Sequence, residues 1–404
     1  MGKSNGCLDG FRLHDSFQRI GPMREGPNSA ALEALAGAVA ASASFTLSNR
    51  PRLSVAPLPG ARKGQLVACQ TSGTSGHPKT VLRSQGSWIS SFEQNRLGFG
   101  LTPADRYAIL GSLSSSLVAY ASVEAMHLGM GLLDLCGLAP AEQTNLLRAM
   151  SATVLYCSPA QLRLLTGARR RRDAAPLPAM RHVRCGGGKL DAATRQAAAA
   201  LCPGADIREF YGAAETSFIT LSDDATPPGS VGRPYPGVRI EIRDAAGERT
   251  EGTGEIWVES PYLFLRYVEG DAGDTRWQDR FLTVGELGHL DAEGNLYLKG
   301  RKSRMVTVGD RNVFPEEIEA HLLTLPGIRQ CAVIALPDRL RGHRLAAVIE
   351  GAGDAASADS IRRSCRSCLG PAATPRRVMF VDSLPLMAAG KPDFDALANL
   401  LAGP

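Results

Sequence analysis

The chemistry written most openly in this sequence lies in Thr71-Ser72-Gly73-Thr74-Ser75-Gly76-His77-Pro78-Lys79. Small hydroxyls and backbone N–H groups can cradle phosphate oxygens, and glycines let the backbone pass close to a ligand. A lysine adds positive charge, so the stretch reads as a phosphate-handling loop. With Thr80 it stands one residue away from a nucleoside-triphosphate P-loop, but Pro78 takes the place of the second glycine. Proline fixes φ and offers no N–H where that loop needs a donor, so γ-phosphoryl transfer on a true P-loop is disfavoured. Cys365-x-x-Cys368 is the one metal-like spacing, and no second Cys or His pair stands ready to complete a zinc site. The Arg169-Arg170-Arg171-Arg172 run precedes two prolines and has no interleaved aromatics, so it reads as a solvated loop.

These residues need a scaffold. The apolar run Gln65-Leu66-Val67-Ala68-Cys69 leads into the loop as a short buried strand. Upstream, Asn28-Ser29 can cap an alanine-rich helix running to about residue 43, followed by a Pro/Arg-rich connector over 49–63. Downstream to about residue 211, helix-like stretches near 87–97, 117–128, 141–150, 159–165 and 191–201 alternate with strand-like runs. Those runs cover 107–110, 132–135, 153–157, 182–185 and 207–210. Such alternation predicts an α/β fold, with mainly parallel sheets, covering helices and ligands at the carboxyl ends of the strands. From residue 227 short β pieces at 231–242, 254–259 and 295–298 predict a small β-rich subdomain over 229–300. Beyond Gly300-Arg301 the pattern is a helix at 315–325, strands at 331–335 and 345–350, a helix at 360–368, a strand at 378–381 and a helix at 394–401. The expectation is a large domain over 1–300 followed by a small α+β domain over 301–404.

At 404 residues the chain is long for one core. Its composition, 44% hydrophobic and 21% charged, is that of an ordinary globular protein, and a net charge of +5 gives weak grounds for nucleic acid or membrane binding. Neither partner is expected, and no apolar run is long enough for a membrane span. The first residues lack an apolar signal core, and Gly6 stands where a myristoylation site needs Ser or Thr. Nine cysteines, most of them in apolar runs, suit buried thiols in a reducing cytoplasm.

A set of ordered motifs carries a family resemblance. The Thr71–Lys79 loop resembles the signature loop of the adenylate-forming enzymes: acyl- and aryl-CoA synthetases, peptide-synthetase adenylation domains and luciferases. Tyr211-Gly212-Ala213-Ala214-Glu215-Thr216 resembles the family's Tyr-Gly-x-x-Glu element. Further matches are Gly229-Ser230-Val231-Gly232-Arg233-Pro234, Gly254-Glu255-Ile256, Gly285-Glu286-Leu287-Gly288 and Gly300-Arg301. The stretch from Gly309 to Glu319, then Leu384-Pro385 and Gly390-Lys391, complete the series, which spans roughly residues 65–400.

The resemblance implies activation of a carboxylic acid by ATP, through an acyl- or aryl-adenylate with release of pyrophosphate. Transfer to a thiol follows, either CoA or the phosphopantetheine of a carrier protein. Thr71, Ser72, Gly73, Thr74, Ser75 and Gly76 would hold the outer phosphates, with Lys79 ordering the loop or touching ligand. Glu215 would bind Mg²⁺, a hard cation that prefers oxygen ligands. Thr216 would contact phosphate, Tyr211 would lie against the adenine with Gly212 also in the nucleotide or phosphate site, Glu286 would reach the ribose, and Arg301 the ribose or phosphates. Lys391 would bridge the acid and the α-phosphate, a task that suits a flexible point charge. Ser303 would be the hinge of a mobile C-terminal domain, and Gly309 would admit the pantetheine arm.

The departures from the family pattern bear on activity and substrate. Glu286 stands where the family has Asp, and Ser303 where it commonly has Asp or Lys. The pattern around Ser114 has neither the aromatic nor the His that commonly gates the acid site. No Asp stands there to hold an α-ammonium group, so standard amino acids are disfavoured. Gly186, Gly187 and Gly188 would leave room for a flat or extended acid, although a plain strand-to-helix turn accounts for them equally. About seventy residues precede the loop, a shortness similar to phenylacetate-CoA-ligase-like members, as is Asn312-Val313-Phe314-Pro315. It implies a shallower acid pocket, or a homodimer that replaces the missing wall. The competing readings are a weakened nucleotide-binding homologue, supported by Glu286 and Ser303, and the disfavoured P-loop phosphotransferase.

Overall fold

The structure, a computed structural model, describes residues 10–22, 25–49, 52–58, 60, 65–70, 79–172, 175–270, 273–387 and 392–402. Thr71 to Pro78 and Lys391 therefore lie outside the described residues. An eight-stranded sheet forms the middle of a large N-terminal domain. Its spatial order is Gln18–Arg19, Gly131–Asp134, Arg106–Ile109, Val154–Cys157, His182–Gly186, Asp206–Ala213, Ser217–Leu221 and Arg233–Pro234. The first six strands are parallel neighbours and the last two pair antiparallel.

Period-two patterning explains how both faces of this sheet are covered. Tyr107, Ile109, Val154 and Tyr156 enter a core shared with helices Ser29–Ala40, Gln85–Gly98 and Ser116–Leu128. Their neighbours Ala108, Leu110, Leu155 and Cys157 enter a second core, under Pro140–Ala149, Pro159–Arg172 and Ala192–Leu201. Local signals set the helix ends. Ser84 and Asp191 accept from the backbone N–H groups of Ser87 and Thr194, and Gly129 closes Ser116–Leu128 at φ +80°.

Two local expectations are corrected. Asn28 precedes the first long helix but does not cap it with its side chain. The fully buried side chain instead donates to the Gly111 carbonyl and to Asp134, and accepts from Leu113 N–H. These bonds tie two distant loops together, at about 1 kcal/mol each. The Arg169–Arg172 run is not a loop either, because helix Pro159–Arg172 continues through it. Arginine is a good helix former, and the apolar residues before the run anchor the helix.

The phosphate loop joins two strands of a second sheet, ordered Arg266–Glu269, Thr80–Ser84, Leu66–Gln70, Phe45–Ser48 and Ser54–Pro57. Only Phe45–Ser48 and Leu66–Gln70 run parallel in it. Leu66–Gln70 and Thr80–Ser84 are antiparallel, with Gln70 opposite Thr80, since so short a connection leaves no room for a crossover. The β-rich expectation becomes a six-stranded antiparallel sheet that includes Gly254–Glu259, Glu286–Leu290 and Leu296–Arg301. The small C-terminal domain has a five-stranded sheet with helices Pro315–Leu322 and Ala355–Leu369 on one core and Phe394–Ala402 on another. Arg163 donates to the Arg329 carbonyl at 3.1 Å and Lys299 pairs with Glu317 at 2.7 Å, which links the two domains.

Candidate active site

The strand Asp206–Ala213 delivers the Tyr-Gly element to the end of the eight-stranded sheet. Its register with Ser217–Leu221 shifts between Tyr211 and Gly212. A Cβ on Gly212 would stand 1.9 Å from the Ser217 carbonyl oxygen, so the bulge admits only glycine there. The turn between the strands carries Glu215 and Thr216. Thr216 is buried, and its hydroxyl accepts from Ala213 N–H at 3.0 Å. The hydroxyl expected at a phosphate is thus turned back to hold its own turn.

Tyr211, Glu286 and Arg301 come together although ninety residues separate the first from the last. Glu286 and Arg301 are cross-strand partners in the six-stranded sheet, and Arg301 Nε donates to Glu286 Oε1 at 3.2 Å. The Tyr211 hydroxyl donates to Glu286 Oε2. The extra methylene of Glu286, relative to aspartate, is taken up by this reach to Tyr211. Burial, then the neighbouring Glu286 carboxylate, raise the Tyr211 pKa well above its ordinary value. Burial works against the Arg301 charge, but Glu286 and Glu215 outweigh it and raise its pKa. The arrangement pairs a cation with Glu286 and sets it within the electrostatic reach of Glu215.

Glu215 is held by a ribbon that sequence reasoning passed over. The Tyr267 hydroxyl donates to Glu215 Oε1 at 2.7 Å, and Phe264 N–H donates to the Glu215 carbonyl at 2.8 Å. Lys79, at the end of the phosphate loop, sets its ammonium 5.9 Å from the centre of the Tyr267 ring. Arg83, on the strand that follows that loop, is 1% exposed and donates to the carbonyls of Ala214 and Tyr262. Burial pulls its pKa down to about 10, against the pull of Cys69 and Glu215, so it remains charged at neutral pH. An arginine inside the run Thr80-Val81-Leu82-Arg83-Ser84 was the available signal. Nothing in the sequence marks Tyr267.

The glycines expected to leave room for the acid divide in two. A Cβ on Gly186 would meet the Phe210 ring at 2.2 Å, so the space there is already filled by the neighbouring strand's side chain. Gly187 and Gly188 are exposed, with φ +83° at Gly187. Glu209, buried beneath this turn, accepts from Leu190 N–H at 2.9 Å, and burial pushes its pKa up to about 7. Ser114, half-buried, bonds to the Ser112 hydroxyl at 3.0 Å in the loop before helix Ser116–Leu128. Phe210 leads inward to Phe218, Tyr156 and Tyr120, a chain of rings with centroids 4.8–6.5 Å apart.

Two further expected site residues lie just beyond strand Leu296–Arg301. Ser303 is exposed in a single 3₁₀ turn, Lys302–Arg304. Gly309 is exposed at the tip of a hairpin with φ +67°, its N–H donating to the Arg341 carbonyl at 2.9 Å. Gly300 has φ +149°, which side chains rarely adopt, and a Cβ there would also press on Glu316 Oε2 at 2.8 Å and the Phe314 ring at 3.0 Å.

The family model described as AMP-binding enzyme matches residues 35–268, and that of the AMP-binding enzyme C-terminal domain matches residues 317–391. The chain belongs to the AMP-binding enzyme family. An uncharacterized acyl–CoA ligase of Bacillus subtilis (strain 168), YhfT, is 36% identical over 80% of this chain and 65% of its own length. The chain thus spans just under two thirds of that relative. Among solved structures, the amide bond synthetase McbA of Marinactinospora thermotolerans superposes with a TM-score of 0.72 at 25% identity, over 86% of this chain and 72% of the other. The o-succinylbenzoate CoA synthetase of Bacillus subtilis, solved with ATP and a magnesium ion, gives a TM-score of 0.71 at 25% identity, over 82% and 69%. Among the described residues no helix is long and apolar enough to cross a membrane.

Proposed function

We propose that this chain joins a carboxylic acid to ATP, giving an acyl- or aryl-adenylate and pyrophosphate, and passes the acyl group to a thiol. The observation that carries this reading is the convergence of Tyr211, Glu286 and Arg301 beside Glu215, at the strand pair that holds the phosphate loop. In this reading Glu286 and Arg301 take the ribose, with Tyr211 and Gly212 at the adenine. Thr71 to Gly76 and Lys79 take the outer phosphates. Glu215 fits Mg²⁺ as a carboxylate oriented by the Tyr267 hydroxyl at Oε1, the oxygen donor that a hard cation prefers. The ion supplies charge neutralisation at the phosphates. Thr216 acts by holding the Glu215 turn. Lys391 comes from the C-terminal domain, with the domain boundary at about residue 301 and Ser303 as its hinge. Catalysis is then mainly positioning and electrostatic stabilisation of charge growing at the α-phosphorus.

The acid lies at Gly187, Gly188 and Ser114. A compact acid fits better than an extended one, since Phe210 and the rings behind it close the way inward. CoA is the favoured acceptor, in keeping with the named ligase activity of the Bacillus relative, and the Gly309 turn is the approach for its pantetheine arm. A carrier protein is the alternative acceptor. The buried free cysteines suit a reducing, cytoplasmic setting.

The deciding experiment is acid-dependent AMP release over aryl, short-chain and long-chain acids, with CoA as the only thiol. AMP and a thioester are expected with compact acids, and both should be lost in Lys391→Ala. ADP as the product, or no AMP with any acid, would overturn the reading. AMP without thioester would keep the adenylate step and reject CoA as acceptor.

A further inference from the structure

The sheet that carries the phosphate loop also grips the Glu215 turn from three sides. Arg83 holds the Ala214 carbonyl, Phe264 N–H holds the Glu215 carbonyl, and the Tyr267 hydroxyl holds the Glu215 carboxylate. Tyr267 is opposite Val81 in the register of Arg266–Glu269 with Thr80–Ser84, so it rides on the strand that leaves the loop. Its ring is fixed by an edge contact with Phe264, at 4.9 Å and 67° between planes. Its hydroxyl also meets the Thr275 hydroxyl at 3.0 Å, which can orient the proton toward Glu215. The face of the same ring lies under the Lys79 ammonium. Gly270 keeps the passage clear, since a Cβ there would stand 3.0 Å from Lys79 Cγ.

We propose that Tyr267 is a positioning residue for the metal and phosphate end of the site, fixing the Glu215 carboxylate through its hydroxyl and Lys79 through its ring. This rests on the adenylate-forming reading above. One side chain then sets the separation between Lys79 and the Glu215 carboxylate. Its hydroxyl acts on Glu215, with Thr275 orienting it, and its ring acts on Lys79, so the two roles can be removed one at a time.

The test compares Tyr267→Phe, which keeps the ring, with Tyr267→Leu, which loses both contacts. Binding of Mn²⁺ with ATP is followed by electron paramagnetic resonance, and KM values for metal–ATP and for the acid are measured alongside. Tyr267→Phe is expected to weaken Mn²⁺ binding and raise KM for metal–ATP about tenfold, the scale of one lost hydrogen bond to a charged group. The KM for the acid should stay within about twofold on the same argument. Tyr267→Leu should add a further loss in ATP affinity measured without metal, because Lys79 loses its support. If Tyr267→Phe leaves Mn²⁺ binding and the metal–ATP KM unchanged, or raises both KM values alike, the proposal fails. A wild-type chain that binds Mn²⁺ with ATP normally but forms no AMP would overturn the activity and leave the assignment of Tyr267 standing. One that binds no Mn²⁺ with ATP would overturn both.

Discussion

Two clusters in the N-terminal domain are built from the same parts, tyrosines around a carboxylate, and have opposite characters. Glu124, fully buried on helix Ser116–Leu128, accepts from Tyr107 and Tyr156 at 2.9 Å each and from Asn95 at 2.7 Å. Ser91, Tyr120 and Tyr235 complete the network through hydroxyl and amide bonds. Burial, only partly offset by these bonds, pushes the Glu124 pKa up to about 7. The second cluster, Tyr211–Glu286–Arg301 with Glu215–Tyr267, has an arginine in it and remains partly open, Glu286 being 15% exposed. The difference teaches where to look for function. A carboxylate sealed among neutral donors spends its hydrogen-bonding capacity on the fold. One beside a cation, with an exposed edge, can exchange a protein partner for a ligand.

The sharpest way to break this comparison is to truncate one carboxylate in each cluster. Glu124→Ala leaves two buried hydroxyls and an amide without their acceptor, and should cost about 4 kcal/mol of stability in urea unfolding. Glu215→Ala should leave the urea midpoint nearly unchanged and reduce AMP formation about 100-fold. Equal stability losses in the two variants would show that both clusters are structural.

Acidity gives a second contrast. Folded Glu124 keeps its proton to about pH 7, above the value of 4.5 it would have when exposed. The sign follows from proton uptake. The folded chain binds the proton more tightly, so this contribution is complete below about pH 4.5 and is lost as pH rises to about 7. Its size is on the order of 3 kcal/mol. Unfolding measured at pH 5 and pH 8 should show Glu124→Gln losing less stability over that interval than the parent. Glu209, also pushed up to about 7, keeps its own slope in both chains. An unchanged slope in Glu124→Gln would mean that the carboxylate is already charged in the fold.

The smallest effect is expected at Glu286. Glu286→Asp withdraws the carboxylate from Tyr211 while leaving it opposite Arg301, and should change ATP affinity by about threefold at most, or less than 1 kcal/mol. A loss of tenfold or more in ATP titrations would mean that the longer side chain sets the site.

The parallel sheet and its helices were legible because each element carries its own period. Strand His182–Gly186 and helix Ala192–Leu201 fall within a residue or two of their expected limits. The hairpin nature of the phosphate-loop sheet was not legible, since strand direction depends on which neighbours meet and not on either strand's pattern. The continuation of Pro159–Arg172 through four arginines was missed because charge was read as a loop signal, although arginine disfavours neither helix nor surface. Gly186 read as space, and only the packing of the adjacent strand revealed the Phe210 ring that occupies it.

By itself the sequence determined the order of the motifs, the family they belong to and the element types that carry them, because those depend on residue identity and spacing along the chain. It also determined that Pro78 disfavours a P-loop, a matter of one missing N–H. The tertiary structure decided that Glu286 spans from Arg301 to Tyr211, that Thr216 turns its hydroxyl inward, that Tyr267 holds Glu215 and that Arg83 holds the Ala214 carbonyl beside it. Apart from the Thr216 bond to Ala213, three residues away, these are contacts between residues remote in the chain. Hydrogen bonds of this kind form only once both sheets have been packed against each other, so no local pattern can announce them.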